Sequence, residues 1–201
     1  MTRPQVVLFD LGKVLVDFDF AIAARKILAR SLRPPDQLQE LIQTSPLLVQ
    51  FESGQISNQQ FYEAVRRATD YQGTFAEFTA AFAAIFTEIP DMVRLHARAR
   101  AAGYPTWVFS NTNDLAIAHI RKHYPFFANF DGYFLSYELG VMKPAPGIYE
   151  AAERTTGFHG AEVLYLDDHR PNVEAALARG WQAIQHASPA ETIPLVERLL
   201  F

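Results

Sequence analysis

The stretch Val-Val-Leu-Phe-Asp-Leu-Gly, from Val6 to Gly12, decides the fold. Its apolar run has no polar alternation and leads into Asp10, so Val6–Asp10 is predicted to be a strand buried in a parallel sheet covered on both faces. Asp10 then falls at the carboxyl end of the strand, where open α/β sheets bind their ligands. Gly12 carries no side chain, so the turn offers no second acid two residues after the first.

Length and composition limit the number of domains and the classes of partner that the chain can have. The chain has 201 residues, of which 49% are hydrophobic, and a net charge of −4, which suits one packed domain or one core with a modest insertion. We expect no nucleic-acid partner, because such binding usually needs a concentrated basic face. The absence of cysteine excludes disulfides and thiolate metal sites. With no apparent signal peptide and no apolar run near the roughly 20 residues that span a bilayer, we expect a cytoplasmic protein without a membrane partner.

Residues 20–86 carry helical patterns and no convincing strand. The predicted helices are Ala21–Leu32, Asp36–Thr44, Ser57–Ala68 and Thr74–Phe86. The last helix carries a stripe of four phenylalanines, predicted to form the core of this block: Phe75, Phe78, Phe82 and Phe86.

Strands and helices alternate through the rest of the chain. The predicted strands are Thr106–Ser110, Gly132–Leu135, Val163–Asp167 and Trp181–Gln185. The predicted helices are Asp91–Ala102, Leu115–His123, Pro146–Thr156, Pro171–Arg179 and Glu191–Leu200. This order predicts the α/β class, with a Rossmann-like, mainly parallel sheet as the core. We assign residues 1–17 and 88–201 to the core and residues 18–87 to a helical insertion over its carboxyl edge.

Polar side chains follow four of the predicted strands: Asp10, Ser110-Asn111, Lys143 and Asp167-Asp168. Because the carboxyl ends of parallel strands meet at one edge of a sheet, these groups are expected to lie close together. Carboxylates suit Mg²⁺, and a lysine and a serine hydroxyl suit phosphate oxygens. A carboxylate can also attack phosphorus and form an aspartyl-phosphate.

Four segments together resemble motifs I to IV of the haloacid dehalogenase (HAD) superfamily: Phe9-Asp10-Leu11-Gly12, Ser110-Asn111, Lys143-Pro144 and Leu166-Asp167-Asp168. They occur in the family order and at strand ends, and the resemblance extends from Val6 to about Gly180. It implies that the insertion is a C1-type helical cap. The sequence around the motifs is similar to that of small sugar-phosphate phosphatases and of the phosphatase domain of soluble epoxide hydrolase.

The resemblance also implies roles for the residues that contact phosphate. Asp10 is the nucleophile. Ser110 and the Asn111 amide hold the phosphate group. Lys143 neutralises the charges of the phosphate and of Asp10.

The metal site that the resemblance implies holds Mg²⁺. Asp10 is one ligand, and the backbone carbonyl at Gly12 is another if that position keeps the family's role. Asp168 is favoured as a direct ligand, with Asp167 supporting it from the same loop, although either acid of the pair fits the motif.

Gly12 departs from the family pattern. Most phosphatases of the superfamily carry an Asp there as general acid and base, and such catalysis contributes roughly 10²–10⁴-fold to the rate. Without it we expect slow turnover, a substrate with a good leaving group, or a replacement from elsewhere. Asp17, Asp19 and His169 are the replacements that the sequence offers.

The leading hypothesis is a Mg²⁺-dependent phosphohydrolase that acts on a small phosphorylated metabolite, such as a sugar phosphate, through an aspartyl-phosphate. One alternative is a catalytically weak phosphate-binding or regulatory protein, in which Gly12 marks lost activity. Another is a 2-haloacid dehalogenase, but that reaction needs no metal, so the Asp167-Asp168 pair argues against it. The sequence leaves the oligomeric state open.

Overall fold

The structure is a computed structural model that describes residues 2–32 and 46–201. The strands of these residues are β1 (Val6–Phe9), β2 (Val16–Phe18), β3 (Phe86–Glu88), β4 (Thr106–Ser110), β5 (Gly132–Leu135), β6 (Val163–Asp167) and β7 (Gln182–Gln185). Their α-helices are α1 (Phe20–Leu28), α2 (Pro46–Glu52), α3 (Asn58–Thr69), α4 (Phe75–Ala83), α5 (Pro90–Ala101), α6 (Asp114–His123), α7 (Ser136–Leu139), α8 (Pro146–Thr156), α9 (Arg170–Ala178) and α10 (Pro189–Leu200).

Five strands form one parallel sheet in the order β5-β4-β1-β6-β7. β1 lies in the middle, with Val7 opposite Thr106 of β4 and Leu164 of β6. The change in strand order at β1 creates a crevice outside the carboxyl ends of the central strands. The predicted α/β, Rossmann-like, mainly parallel core is confirmed.

The residues of β1 alternate between two hydrophobic layers. Val7 and Phe9 pack among side chains of α5, α6 and α10, and Val6 and Leu8 pack among those of α8 and α9. All four are at most 1% exposed. A strand covered on both faces needs apolar residues at every position, which explains the unbroken apolar run in the sequence.

The helical insertion has a hydrophobic cluster of its own, formed mainly by side chains of α1 to α4. Phe78 and Phe82 are buried in it, and Phe51 stacks on Phe61 with 4.2 Å between ring centroids. The predicted role of Phe78 and Phe82 in the core of this block is confirmed, while Phe75 is only partly buried at its edge.

The fourth phenylalanine of the stripe was assigned wrongly. The helix predicted to reach Phe86 ends at Ala83, and Phe86 begins β3, which pairs antiparallel with β2. No strand was expected in this block, because a three-residue strand is defined by its partner and gives no period of its own. This two-stranded ribbon connects the insertion to the core, and Phe86 faces the cavity described below.

Other predicted bounds shift at the insertion. The helix expected over Ala21–Leu32 ends at Leu28, and Leu32 is 74% exposed. The helix expected over Asp36–Thr44 lies outside the described residues. α2 was not predicted at all. The proposed boundaries of the insertion, near residues 17/18 and 87/88, coincide with the β2–β3 ribbon and stay a prediction.

Side-chain hydrogen bonds fasten the insertion to the sheet core. The Ser136 hydroxyl donates to the carbonyl of Glu52 at 2.5 Å, and the Asn58 side chain donates to Asp114 at 2.6 Å. The Tyr124 hydroxyl donates to the Phe86 carbonyl at 2.7 Å. Within residues 2–32 and 46–201, no helix has the length and apolar character needed to cross a membrane.

Phe78→Ala is expected to lower the free energy of unfolding by about 3–5 kcal/mol, because it opens a cavity in the insertion's cluster. Phe75→Ala is the matched control, and it should cost less because Phe75 is already partly exposed. Chemical denaturation of both variants measures the difference. Equal losses would contradict the described packing.

Candidate active site

The carboxyl ends of β1 and β6 bring three acids together. Carboxylate oxygens of Asp10, Asp167 and Asp168 all lie within 4.8 Å of one another. The backbone N–H of Asp10 donates to the Leu166 carbonyl of β6 at 2.8 Å, so the main chain fixes the spacing of the two strand ends. The expected convergence of these acids is therefore observed.

Lys143 lies between two of these acids. Its Nζ is 2.6 Å from an Asp167 oxygen and 3.2 Å from an Asp10 oxygen, and it donates to the Phe109 carbonyl at 2.7 Å. The Lys143 side chain is fully buried. A buried ammonium is tolerated only when it is paired and hydrogen-bonded, and this one has three partners.

Burial and like charge govern the pKa values of the site. Burial raises the pKa of Asp10 to about 7, with Lys143 opposing the shift and Asp167 and Asp168 adding to it. Burial also raises the pKa of Asp168, again with Asp167 adding to it. The site holds more negative charge than the Lys143 ammonium balances, which is an environment suited to a cation.

Asp167 is a saturated acceptor. Its carboxylate accepts hydrogen bonds from Lys143 Nζ, the Tyr165 hydroxyl, Asn172 Nδ2 and the His169 backbone N–H. Burial opposes its charge, but Lys143 and these donors outweigh burial and lower its pKa. Asp168, in contrast, is only partly buried and lines the cavity.

Asn111 holds the Lys143 backbone through a reciprocal pair of hydrogen bonds. Its Oδ1 accepts from the Lys143 N–H at 2.7 Å, and its Nδ2 donates to the Lys143 carbonyl at 2.9 Å. The side-chain amide of Asn111 is thus engaged in positioning Lys143. Among the described residues, the hydroxyl of neighbouring Ser110 makes a single long hydrogen bond, 3.3 Å to the Asn111 carbonyl, so it is weakly held.

Phe18 fills the space beside Gly12. A Cβ built on Gly12 would lie 2.8 Å from Cε1 of the Phe18 ring. That ring packs edge-on against Phe20, with centroids 5.2 Å apart, and carries the Lys13 ammonium over its face at 4.6 Å. The position that usually bears an acid in related enzymes is therefore closed by an aromatic side chain of β2.

Two of the three replacement acids and bases suggested by the sequence are engaged elsewhere. Asp17 pairs with Lys13, whose hydrogen bond lowers the pKa of Asp17. Asp19 accepts from the Ala21 N–H and caps α1. Neither lines the cavity, whereas His169 does so from an exposed position.

Glu52, at the end of α2, is a residue that the sequence reasoning missed. It lines the same cavity, and burial raises its pKa to about 7. No helix was predicted over 46–52, so nothing in the sequence indicated that Glu52 closes a helix, where an acid opposes the helix dipole. The sequence could not show which way this side chain points.

The cavity has a volume of about 300 Å³ and lies between the sheet edge and the insertion. The core contributes its polar lining, which includes Asp10, Ser110 and Lys143. The insertion and the ribbon contribute its main aromatic lining, which is Phe18, Phe20, Phe82 and Phe86. A cavity of this size suits a small metabolite.

A model of the haloacid dehalogenase-like hydrolase family matches residues 4–180. The chain belongs to this family. The expected HAD membership and hydrolase character are confirmed. The matched range includes the residues that resemble the family's motifs: Asp10, Ser110-Asn111, Lys143 and Asp167-Asp168.

The chain is similar to D-ribitol-5-phosphate phosphatase of Bacteroides thetaiotaomicron, with 24% identity over 192 residues that cover 92% of this chain and 93% of the relative. A HAD family enzyme of the same organism, solved in complex with magnesium and inorganic phosphate, superposes with a TM-score of 0.82 at 23% identity, covering 90% and 93% of the two chains.

A HAD-like family hydrolase of Porphyromonas gingivalis superposes with a TM-score of 0.83 at 23% identity, covering 99% of this chain and 98% of the other. The two solved structures share the fold of this chain. Together with the family match, the phosphatase relative supports the expected HAD-type phosphatase.

Gly12→Asp is expected to destabilise the protein by about 1 kcal/mol, because its Cβ would displace the edge of the partly buried Phe18 ring. Adding Phe18→Leu should recover part of this loss, so the two substitutions should be non-additive. Thermal unfolding of the two single variants and the double variant measures the coupling. Strict additivity would show that Phe18 does not occupy the space beside Gly12.

Proposed function

We propose that this HAD-family hydrolase is a Mg²⁺-dependent phosphatase of a small phosphomonoester and works through an aspartyl-phosphate on Asp10. The observation that carries the proposal is the buried arrangement of Asp10, Asp167 and Asp168 around the Lys143 ammonium at the carboxyl edge of the sheet. A nucleophilic carboxylate, a fixed positive charge and a cluster of acidic oxygens are what phosphoryl transfer requires.

The acidic cluster fits Mg²⁺, which prefers oxygen ligands. Asp10 and Asp168 are the carboxylate ligands that we assign, together with the backbone carbonyl at Gly12. Asp167 is assigned a supporting role, because its oxygens are already occupied by four donors. A bound Mg²⁺ supplies charge neutralisation for the phosphate and for the crowded carboxylates.

The other roles in the reaction are assigned to individual residues. Asp10 attacks phosphorus, and Lys143 balances the charge of Asp10 and of the incoming phosphate. Ser110 offers its hydroxyl to a phosphate oxygen. Because the Asn111 side chain is committed to the Lys143 backbone, we assign its contact with phosphate to the backbone N–H.

The substrate that fits best is the phosphate ester of a small sugar or sugar alcohol. The cavity of about 300 Å³ is closed on one side by the insertion, which restricts it to small molecules. The relative from Bacteroides thetaiotaomicron acts on D-ribitol 5-phosphate, by its name. The aromatic lining from Phe20, Phe82 and Phe86 offers an apolar surface to the carbon skeleton of such a substrate.

Neither alternative matches the site as well. A dehalogenase needs no cation, so three clustered carboxylates would repel one another there without a function. A phosphate-binding protein without turnover would account for Gly12, but it would not need a buried carboxylate next to the phosphate. The following two experiments separate these functions.

Purified protein with Mg²⁺ is expected to release phosphate from sugar and sugar-alcohol phosphates and from p-nitrophenyl phosphate. Chelation of divalent cations should abolish the release, and Mg²⁺ should restore it. Asp10→Asn should abolish it permanently, because an amide is not a nucleophile. Unchanged turnover of Asp10→Asn would refute the assigned nucleophile, and halide release from a 2-haloacid without Mg²⁺ would favour the dehalogenase.

Asp168→Asn is expected to affect mainly the Mg²⁺ requirement, and Asp167→Asn mainly the stability. Asp168→Asn should raise the Mg²⁺ concentration needed for half-maximal activity and change stability little, since this residue is partly exposed. Asp167→Asn should cost up to about 3–5 kcal/mol of stability, because it removes the nearer of the two carboxylates that pair with buried Lys143. Mg²⁺ titration and thermal unfolding of both variants test the assignment, and the reverse pattern would contradict it.

A further inference from the structure

Glu52 lines the cavity from the side of the insertion. Asp10 and Gly12 line the cavity from the core, while Leu48 and Glu52 line it from α2. Gly12 has no side chain and so offers no acid from the core side, and Phe18 fills the space next to it. Within the part of the chain that the structure describes, the cavity therefore contains one acid that does not belong to the cluster around Lys143, and this acid is Glu52.

The backbone of Glu52 is anchored to the loop proposed to hold phosphate. The Ser136 hydroxyl donates to the Glu52 carbonyl at 2.5 Å and accepts from the Thr112 N–H at 2.9 Å. Thr112 directly follows Ser110-Asn111, so one buried hydroxyl connects the end of α2 to the Ser110–Asn113 loop. Glu52 therefore has a fixed position relative to the phosphate site.

Gly54 strengthens this anchor. Its φ is +70°, and a Cβ there would lie 2.2 Å from the Tyr137 carbonyl, so the chain can turn this close to α7 only with glycine. The turn after α2 thus rests against α7, the helix that begins at Ser136. A second contact, from Asn58 to Asp114, fastens the start of α3 to α6.

The environment of Glu52 suits proton transfer. Burial alone raises its pKa to about 7, without the opposing lysine that stabilises the charge of Asp10. A carboxyl group with a pKa near neutrality can both donate and accept a proton at physiological pH. Asp17, in contrast, does not line the cavity, and its hydrogen bond with Lys13 lowers its pKa.

We propose that Glu52 supplies, from the insertion, the general acid and base that Gly12 does not provide in the core. The inference rests on the phosphatase function proposed above. In the first step an Asp10 oxygen bonds to phosphorus, the bond from phosphorus to the leaving oxygen breaks, and that oxygen takes the proton of the Glu52 carboxyl group. In the second step the Glu52 carboxylate takes a proton from water as the water oxygen bonds to phosphorus, the bond to Asp10 breaks, and phosphate leaves.

The test compares Glu52→Gln with wild type in the presence of Mg²⁺. The matched control is Glu63→Gln, the same substitution on α3 of the insertion, at a residue that pairs with Arg66 and does not line the cavity. Two substrates are used: a sugar-alcohol phosphate, whose leaving oxygen needs a proton, and p-nitrophenyl phosphate, whose leaving group does not.

Glu52→Gln should lower kcat for the sugar-alcohol phosphate roughly 10²–10⁴-fold. With p-nitrophenyl phosphate it should release about one equivalent of nitrophenolate in a rapid burst and then turn over slowly, because only the second step needs the base. Glu63→Gln should behave as wild type. Glu52→Asp, which keeps a carboxyl group, should retain more activity than Glu52→Gln.

The outcomes separate the two proposals. If wild type is active and Glu52→Gln raises KM without lowering kcat, or shows no burst, Glu52 is a binding residue and the inference is wrong. Equal losses in Glu52→Asp and Glu52→Gln would also overturn it, because they would indicate a structural role. If wild type releases no phosphate from either substrate with Mg²⁺, it is the proposed function that fails.

Discussion

The buried ammonium of Lys143 is the interaction on which the site depends. It lies between carboxylates from two adjacent strands, Asp10 after β1 and Asp167 after β6, and its main chain is held by Asn111. Without this cation, two acids this close and this buried could not both be ionised, because burial and mutual repulsion each favour the protonated form. One lysine thus allows the sheet edge to concentrate negative charge, and the excess charge that remains is what suits the edge to a divalent cation.

In the turn after β1, the space beside Gly12 is filled by a neighbouring aromatic side chain. Gly12 leaves space next to the nucleophile, and Phe18 of β2 occupies it while packing against Phe20 and Lys13. The ribbon of β2 and β3 that carries Phe18 is also the connection to the insertion. The absence of a side chain at Gly12 is therefore matched by Phe18, which is part of the aromatic lining of the cavity.

The insertion contributes more than a cover over the cavity. Its cluster around Phe61 and Phe78 makes it a packed unit, and the Ser136 hydroxyl joins the end of α2 to the phosphate loop. This contact explains how a residue of the insertion, Glu52, can be held in a fixed place beside groups that belong to the core. Proton transfer from the insertion would make catalysis depend on this contact as well as on the sheet.

The parallel core could be predicted from the sequence, because the apolar run of a buried strand such as Val6–Phe9 and the helical spacing of apolar residues after it are visible in neighbouring residues. The same patterns also placed Asp10, Ser110 and the acid pair at strand ends, since parallel strands bring those ends together. Lys143 was expected just after a strand as well, but it lies between α7 and α8. The short ribbon that takes in Phe86 could not be predicted, because three-residue strands are defined by their partners. Only the tertiary structure decided that Asp167 is saturated while Asp168 and Glu52 line the cavity, because burial and hydrogen-bond partners arise from contacts between residues far apart in the chain.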